Sequence, residues 1–393
     1  MRLFNTLTGK VESFSPVASP VRLYVCGVTP YDTTHLGHAF VYLTFDVLIR
    51  LLEHDGTPVR YIRNVTDVDD PLFERARATD EDWQQIVRRN MDRFHEDLAV
   101  LGARPPDIEP YVSAEIDAMI ALIEALVAGG YTYTIGDRLY FRVEKFPGYG
   151  TLGGVSRDYQ LQRAKETGND PHLPGKQNPL DFLLWQPSQP DEPAWDSPWG
   201  RGRPGWHIEC SAMASHYLGP QIDIHGGGAD LIFPHHASEI AQSEAATGIR
   251  PFSRFWMHCG LVRLDGVKMS KSLGNLIFTR DLLASSGPDA VRLYLLGHHY
   301  REGWDHSEAE LAAARALAEQ LAFFAASESP PNDQALGLRD AALRALRDDL
   351  NTPAAIAALR SLVEVGAPAG AAIRELGGIL GLQFRPHRRE AIG

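Results

Sequence analysis

His35-Leu36-Gly37-His38 sets two imidazoles within one turn, where a β-prone run gives way to a helical pattern. A helix start offers unpaired N–H groups and partial positive charge, which favour phosphate. The histidines can donate to phosphate oxygens as charge builds at an α-phosphorus, and Gly37 lets a planar base approach the backbone. Lys268-Met269-Ser270-Lys271-Ser272, followed by Leu273-Gly274-Asn275, places two lysines in a short loop flanked by glycine. Such a loop suits a clamp on the β- and γ-phosphates of a nucleoside triphosphate. His225-Gly226-Gly227-Gly228-Ala229-Asp230 adds three glycines for close approach of a ligand, and a carboxylate able to accept from ribose hydroxyls. Taken singly, the histidine pair and the glycine turn also have ordinary structural readings.

A second chemistry comes from four scattered donors. Cys26 ends a predicted strand, Cys210 lies in Gly205-Trp-His-Ile-Glu-Cys210, and His235 and Glu239 stand four residues apart. On a helix that spacing puts both on one face. Two thiolates, an imidazole and a carboxylate suit zinc rather than magnesium or calcium. The spacing alone also allows buried structural cysteines. Cys259 lies near none of these motifs and reads as a core thiol.

The elements that must hold these groups are partly legible. Residues 22–26 read as a strand, 35–53 as a helix and 58–65 as a second strand, a βαβ unit of nucleotide-binding length. Thr79 or Asp80 can cap a helix to about Ala99. Ser113 can open another, stopped by Gly129-Gly130. Tyr131–Thr134 and Arg138–Val143 read as a hairpin around Ile135-Gly136-Asp137. Residues 146–204 are rich in Gly, Pro, Asp and Trp, and read as a long-looped insertion. Further strands are expected at 222–225 and 255–264, with a helix over 237–247. From Ser307 to Leu382 the pattern is helical, three or four helices with a break at Ser329-Pro-Pro-Asn332.

The chain has 393 residues, a formal net charge of −12 and three cysteines. That length suggests two or three domains. Three cysteines exclude a disulfide framework. No run of 18 apolar residues or signal-peptide core is present, so a cytoplasmic protein without a membrane span is expected, as a monomer. The acidic balance argues weakly against a broad nucleic-acid grip.

In order, Cys26, His35–His38, Asn64-Val-Thr-Asp-Val-Asp-Asp70, Pro204–Met213, Ile222–Glu244 and Lys268–Asn275 resemble the class I cysteinyl-tRNA synthetases and their relative, the mycothiol cysteine ligase. The resemblance implies an α/β fold: a Rossmann-type parallel sheet with a connective insertion and a C-terminal helical domain. The corresponding divisions are 1–104 and 201–305 for the two halves of the catalytic domain, 105–200 for the insertion and 306–393 for the helical part. It implies one Zn²⁺ per chain on Cys26, Cys210, His235 and Glu239, taking the substrate thiolate and so rejecting serine. Cys26, Asn64, Thr66 and Trp206 would form the cysteine pocket. Gly27, Thr29, Gly37, Gly228 and Asp230 would hold ATP, supplied with Mg²⁺, and its adenylate. His35, His38, Lys268 and Lys271 would serve catalysis, with Lys271 also on the nucleotide. The implied reaction joins cysteine and ATP into cysteinyl-adenylate and pyrophosphate, after which an acceptor displaces AMP.

The acceptor divides the two branches. Thr29-Pro-Tyr-Asp32, Asp70-Pro-Leu-Phe-Glu-Arg-Ala76 and Glu166-Thr-Gly-Asn-Asp-Pro171 resemble the ligase, whose acceptor is the amine of glucosaminyl-inositol. Only 87 residues follow His306, where the tRNA enzymes usually continue into an anticodon-reading domain. From Asp305 onward there are 12 acidic and 9 basic residues, a poor match to an RNA groove. Glu239, Ile240–Ala246 and Asp349-Leu-Asn-Thr-Pro353 resemble the tRNA branch, whose acceptor is tRNA-Cys. Val41 and Asn169 depart from the ligase pattern, which has threonine and glycine there. A catalytically silent adenylate- or zinc-binding relative is a third reading, against which stand the intact Lys268–Ser272 loop and both histidines.

Overall fold

The computed structural model describes residues 1–17, 19–32, 34–269 and 274–385. Ser270, Lys271, Ser272, Leu273 and the tail beyond Arg385 lie outside the described residues, and with them the expected second lysine of the phosphate clamp.

After a hairpin of β1 (Arg2–Asn5) and β2 (Lys10–Ser13), the expected βαβ unit forms from β3 (Val21–Val28), α1 (Leu36–His54) and β4 (Val59–Val65). β3 and β4 pair in parallel, as strands with apolar residues on both faces do. α1 starts where its own sequence supplies a cap: the His35 Nδ1 accepts from the Gly37 N–H at 3.1 Å. The helix expected from Thr79 or Asp80 begins later. Asp80 takes a left-handed φ of 54° that ends an unexpected helix, α2 (Asp70–Thr79). α3 (Trp83–Val100) is then capped by Asp82, whose Oδ1 accepts from the Gln85 N–H at 3.0 Å. α2 buries Leu72 and Phe73 alone, so it shows no helical stripe.

The next stretch packs α4 (Ile116–Ala128) near a sheet of β5 (Thr132–Ile135), β6 (Arg138–Phe141), β7 (Phe182–Gln186) and β8 (Arg203–Pro204), in that order. It also carries α5 (Arg157–Glu166), so residues 146–204 hold more regular structure than their composition suggests. The chain then returns to the central sheet through α6 (Trp206–Leu218), β9 (Ile222–Gly228), α7 (Ala237–Thr247) and β10 (Ser253–Cys259). The order is β10-β9-β3-β4, all parallel. Ligands of such sheets sit beyond the carboxyl ends of the strands. Cys26 and Gly228 are at those ends.

The single strand expected over 255–264 is two. Gly260 breaks it, its N–H donating to the Tyr300 carbonyl at 2.6 Å. β11 (Val262–Leu264) leaves for a small sheet with β12 (Val267–Lys268) and β13 (Trp304–Asp305). α8 (Thr279–Ser286) and α9 (Pro288–Leu296) lead to four further helices: α10 (Glu308–Ala325), α11 (Asp333–Arg347), α12 (Thr352–Val365) and α13 (Gly370–Leu380). The break falls where Pro330-Pro331 predicts, and the Asn332 Oδ1 caps α11 by accepting from the Ala335 N–H at 2.8 Å. A buried ion pair ties these helices to α1. Arg292 meets the Asp46 carboxylate, and its Nε and Nη1 donate to the carbonyls of Leu380 at 2.7 Å and Leu101 at 2.8 Å. Removing one partner of so buried a pair costs about 3–5 kcal/mol.

Candidate active site

The floor of the site is assembled by the sheet and two helices. β3 brings Cys26, α6 brings Cys210, and the segment entering α7 brings His235, with Glu239 one turn on. Their ligand atoms all lie within 4.8 Å of one another, and every residue is buried. The Cys26 Sγ stands 3.8 Å from the Cys210 Sγ and 3.6 Å from the Glu239 Oε1, which is 3.3 Å from the His235 Nε2. A tetrahedral zinc with its usual bond lengths needs ligand edges of about 3.3–3.8 Å. One carboxylate oxygen, the Glu239 Oε2, has no hydrogen-bond partner. The four donors fit a thiophilic divalent cation.

Burial sets the charge of these donors. It pushes the Cys26 thiol up, helped by Cys210 and Glu239, and raises the Glu239 carboxyl well above its usual range. It lowers His235, helped by His207 and His225. The imidazole is therefore neutral and ready to ligate, and a cation would reverse the cost of ionising the thiol and carboxyl.

Above the floor opens a cavity of about 380 Å³. Cys26, Gly27, Thr29, His35, Gly37, His38, Trp206, Gly228, Asp230 and Lys268 all reach it. The rings of His35 and His38 stack at 3.8 Å at the start of α1. Lys268 Nζ pairs with the Asp230 Oδ2 at 3.0 Å, and both side chains are more than a third exposed. Trp206 stacks on His235 at 4.3 Å, joining the cavity wall to the floor. Asn64 and Thr66 stand one layer back. The Asn64 Oδ1 accepts from the Gly27 N–H at 2.8 Å and lies 3.6 Å from the Cys210 Sγ, while its Nδ2 donates to the Thr66 Oγ1 at 3.1 Å.

The family described as tRNA synthetases class I (C) catalytic domain matches residues 13–316. The chain belongs to that family. This class I synthetase is 46 % identical to the L-cysteine:1D-myo-inositol 2-amino-2-deoxy-alpha-D-glucopyranoside ligase of Thermobifida fusca, covering 91 % of this chain and 87 % of that one. It is 47 % identical to the cysteine–tRNA ligase of Thioalkalivibrio sulfidiphilus, covering 97 % and 85 %. Among solved structures, the Mycobacterium tuberculosis methionyl-tRNA synthetase with methionyl-adenylate shares the fold, with a TM-score of 0.66, 17 % identity and 92 % and 84 % covered. The expected class I fold and ligase class are met, and the two kinds of relative differ in the acceptor their names give.

Two features of the synthetase site differ from the reading of its sequence. The glycines of 226–228 do not all serve a ligand. A Cβ on Gly226 would sit 2.0 Å from the Phe45 ring of α1, so this glycine lets helix and sheet meet. A Cβ on Gly27 would sit 1.5 Å from the Asn64 carbonyl oxygen, so it too serves the approach of β3 to β4. Four further imidazoles to which the sequence motifs assign no role, His207, His225, His236 and His258, are buried here. No local spacing marks them; the signal available was their density on either side of the glycine turn.

Proposed function

We propose that this protein activates L-cysteine with ATP and passes the cysteinyl group to a small amine of the glucosaminyl-inositol type. The observation that carries the first step is the donor set of Cys26, Cys210, His235 and Glu239 directly beneath a cavity that His35 and His38 also reach. Zinc held by those four residues, when bound, supplies a soft Lewis acid for a substrate thiolate, an atom serine lacks. Trp206 walls the amino acid. The cysteine carboxylate attacks the α-phosphorus, its P–O bond forms, and the bond to pyrophosphate breaks. His35, His38 and the α1 N-terminus donate to the oxygens where negative charge builds. Lys268 leaves Asp230 for the β- and γ-phosphates, and Lys271 is assigned to the same clamp. Asp230, so released, accepts from the ribose, and Gly228 and Thr29 line the nucleotide. The amine then attacks the adenylate carbonyl, AMP departs with the C–O electron pair, and the amine loses a proton.

A small amine is supported by the acidic balance of the part from Asp305 onward, 12 acidic to 9 basic residues, in which three of the arginines are also engaged. Arg347 pairs with Asp55, Arg339 with Asp340, and Arg374 donates to the carbonyls of Ala325 and Ser327. A surface that grips RNA needs such groups free to meet phosphate. The second reading, transfer to tRNA-Cys, is favoured by Glu239, a donor the resemblance ties to the tRNA branch. The test offers the protein labelled cysteine and ATP with tRNA or with glucosaminyl-inositol. Cysteine-stimulated ATP–pyrophosphate exchange and a labelled amino sugar are expected. Labelled tRNA replaces the acceptor reading, and absent exchange sinks activation altogether.

A further inference from the structure

The floor of the site holds more donors than one tetrahedral ion can use. Cys26, His225, His236 and Glu239 form a second group of four, every ligand atom within 4.8 Å of the others and every residue buried. The Cys26 Sγ is 3.5 Å from the His225 Nε2 and 3.3 Å from the His236 Nε2. The Glu239 Oε1 is 3.3 Å from the His225 Nε2 and 3.8 Å from the His236 Nε2. These are again the edges of a zinc tetrahedron, about 3.3–3.8 Å.

The surroundings prepare His236 as a ligand, while the buried Nδ1 of His225 has no hydrogen-bond partner. The His236 Nδ1 lies 2.7 Å from the His258 Nε2, and the His258 Nδ1 lies 2.8 Å from the Thr6 Oγ1. With the His236 Nδ1–H donating to His258, its Nε2 turns a lone pair toward Cys26. Metal-bound imidazoles use this outer partner to fix tautomer and ring. His235 has its own counterpart, its Nδ1 lying 3.1 Å from the His207 Nδ1. The ring of His225 is held by stacking on Trp256 at 4.4 Å.

Resting on the zinc reading above, we propose that the ion has two overlapping seats that share Cys26 and Glu239. One is completed by Cys210 and His235, the other by His225 and His236. Tetrahedra of this size that share an edge have centres at most about 2.5 Å apart. Paired metal ions keep roughly 3.5–4 Å, so the seats exclude each other and the chain holds one ion. The first seat is richer in thiolate. The second is a reserve: losing Cys210 or His235 moves the ion and does not release it.

The test measures bound zinc in the purified full chain after dialysis, and then the thiolate-to-metal absorbance of the cobalt-substituted protein. Cys210→Ala is expected to keep about one ion per chain, with the absorbance cut to roughly half because one of two thiolates is gone. His236→Ala alone keeps ion and full absorbance, whereas Cys210→Ala with His236→Ala loses the ion. A Cys210→Ala chain that is folded by circular dichroism yet holds no metal overturns the second seat. Should that variant not fold, His235→Ala answers the same question: the ion kept with the absorbance cut to roughly half is expected, because the second seat holds only the Cys26 thiolate, and loss of the ion or full absorbance is fatal. Wild-type protein that binds no metal overturns the zinc reading itself and this inference with it.

Discussion

The two ends of the site are built on different principles. At the floor, donors from β3, α6 and α7 are buried and already at ligand spacing, each fixed by an element of the core. At the rim, Lys268 and Asp230 hold each other across solvent. An exposed pair of this kind is worth about 0–1 kcal/mol. It can open for ATP at little cost, while the floor cannot rearrange without disturbing the sheet. On the proposed function, the end that recognises one atom is set in the core, and the end that binds and releases a polyanion is held by a contact easily exchanged.

The largest effect should follow from breaking the floor at the residue shared by both metal seats. Cys26→Ala is expected to lose the bound metal and to lower cysteine-dependent ATP–pyrophosphate exchange by roughly 10³-fold or more, because a site built for a specific ligand atom fails steeply without it. Metal analysis and exchange kinetics check it. Retained metal with near-normal exchange would mean that the floor does not select the substrate.

The same contrast explains how much could be read in the sequence. α1 shows apolar residues at helical spacings although Tyr42–Ile49 are all buried, between the sheet and the helices α9 and α13, and β3 and β4 show as β-prone runs. The histidine pair sits at the junction these predict. α6 escapes notice because it buries His207, Glu209, Cys210, Ser211 and Met213 on all sides, which erases the 3.6-residue period. His225, His236 and His258 escape because buried polar groups find their partners across the fold and leave no local pattern. The glycines were legible as close approaches, though for Gly226 the approaching group is Phe45 and not a ligand.

The rim should respond less. His38→Ala removes one donor to the charge at the α-phosphorus, and the exchange rate should fall about 10²-fold. Bound metal and the midpoint of thermal unfolding should stay near those of wild type, because His38 lies outside both donor sets. Loss of metal in this variant would show that floor and rim are coupled and not built independently.

The smallest effect concerns the loop between the two ends. Thr29, which lines the cavity, donates through its Oγ1 to the Asp69 Oδ2 at 3.1 Å. Burial, and then the charge of Asp70, push Asp69 up to about 6, against the pull of its bonds from Thr29 and the Asp70 N–H. An unfolded aspartate titrates near about 3.9. Between those values the folded chain holds more protons than the unfolded one, so stability falls as pH rises. The contribution is complete below about pH 4 and gone above about pH 6, a change of at most about 3 kcal/mol. Asp69→Asn keeps an acceptor for Thr29 but cannot ionise. Urea unfolding at pH 4, 5, 6 and 7 should show the variant gaining on wild type through that interval and running parallel above it. Parallel curves throughout would mean that Asp69 is ionised at no cost, and that nothing in the buried ground between floor and rim titrates with it.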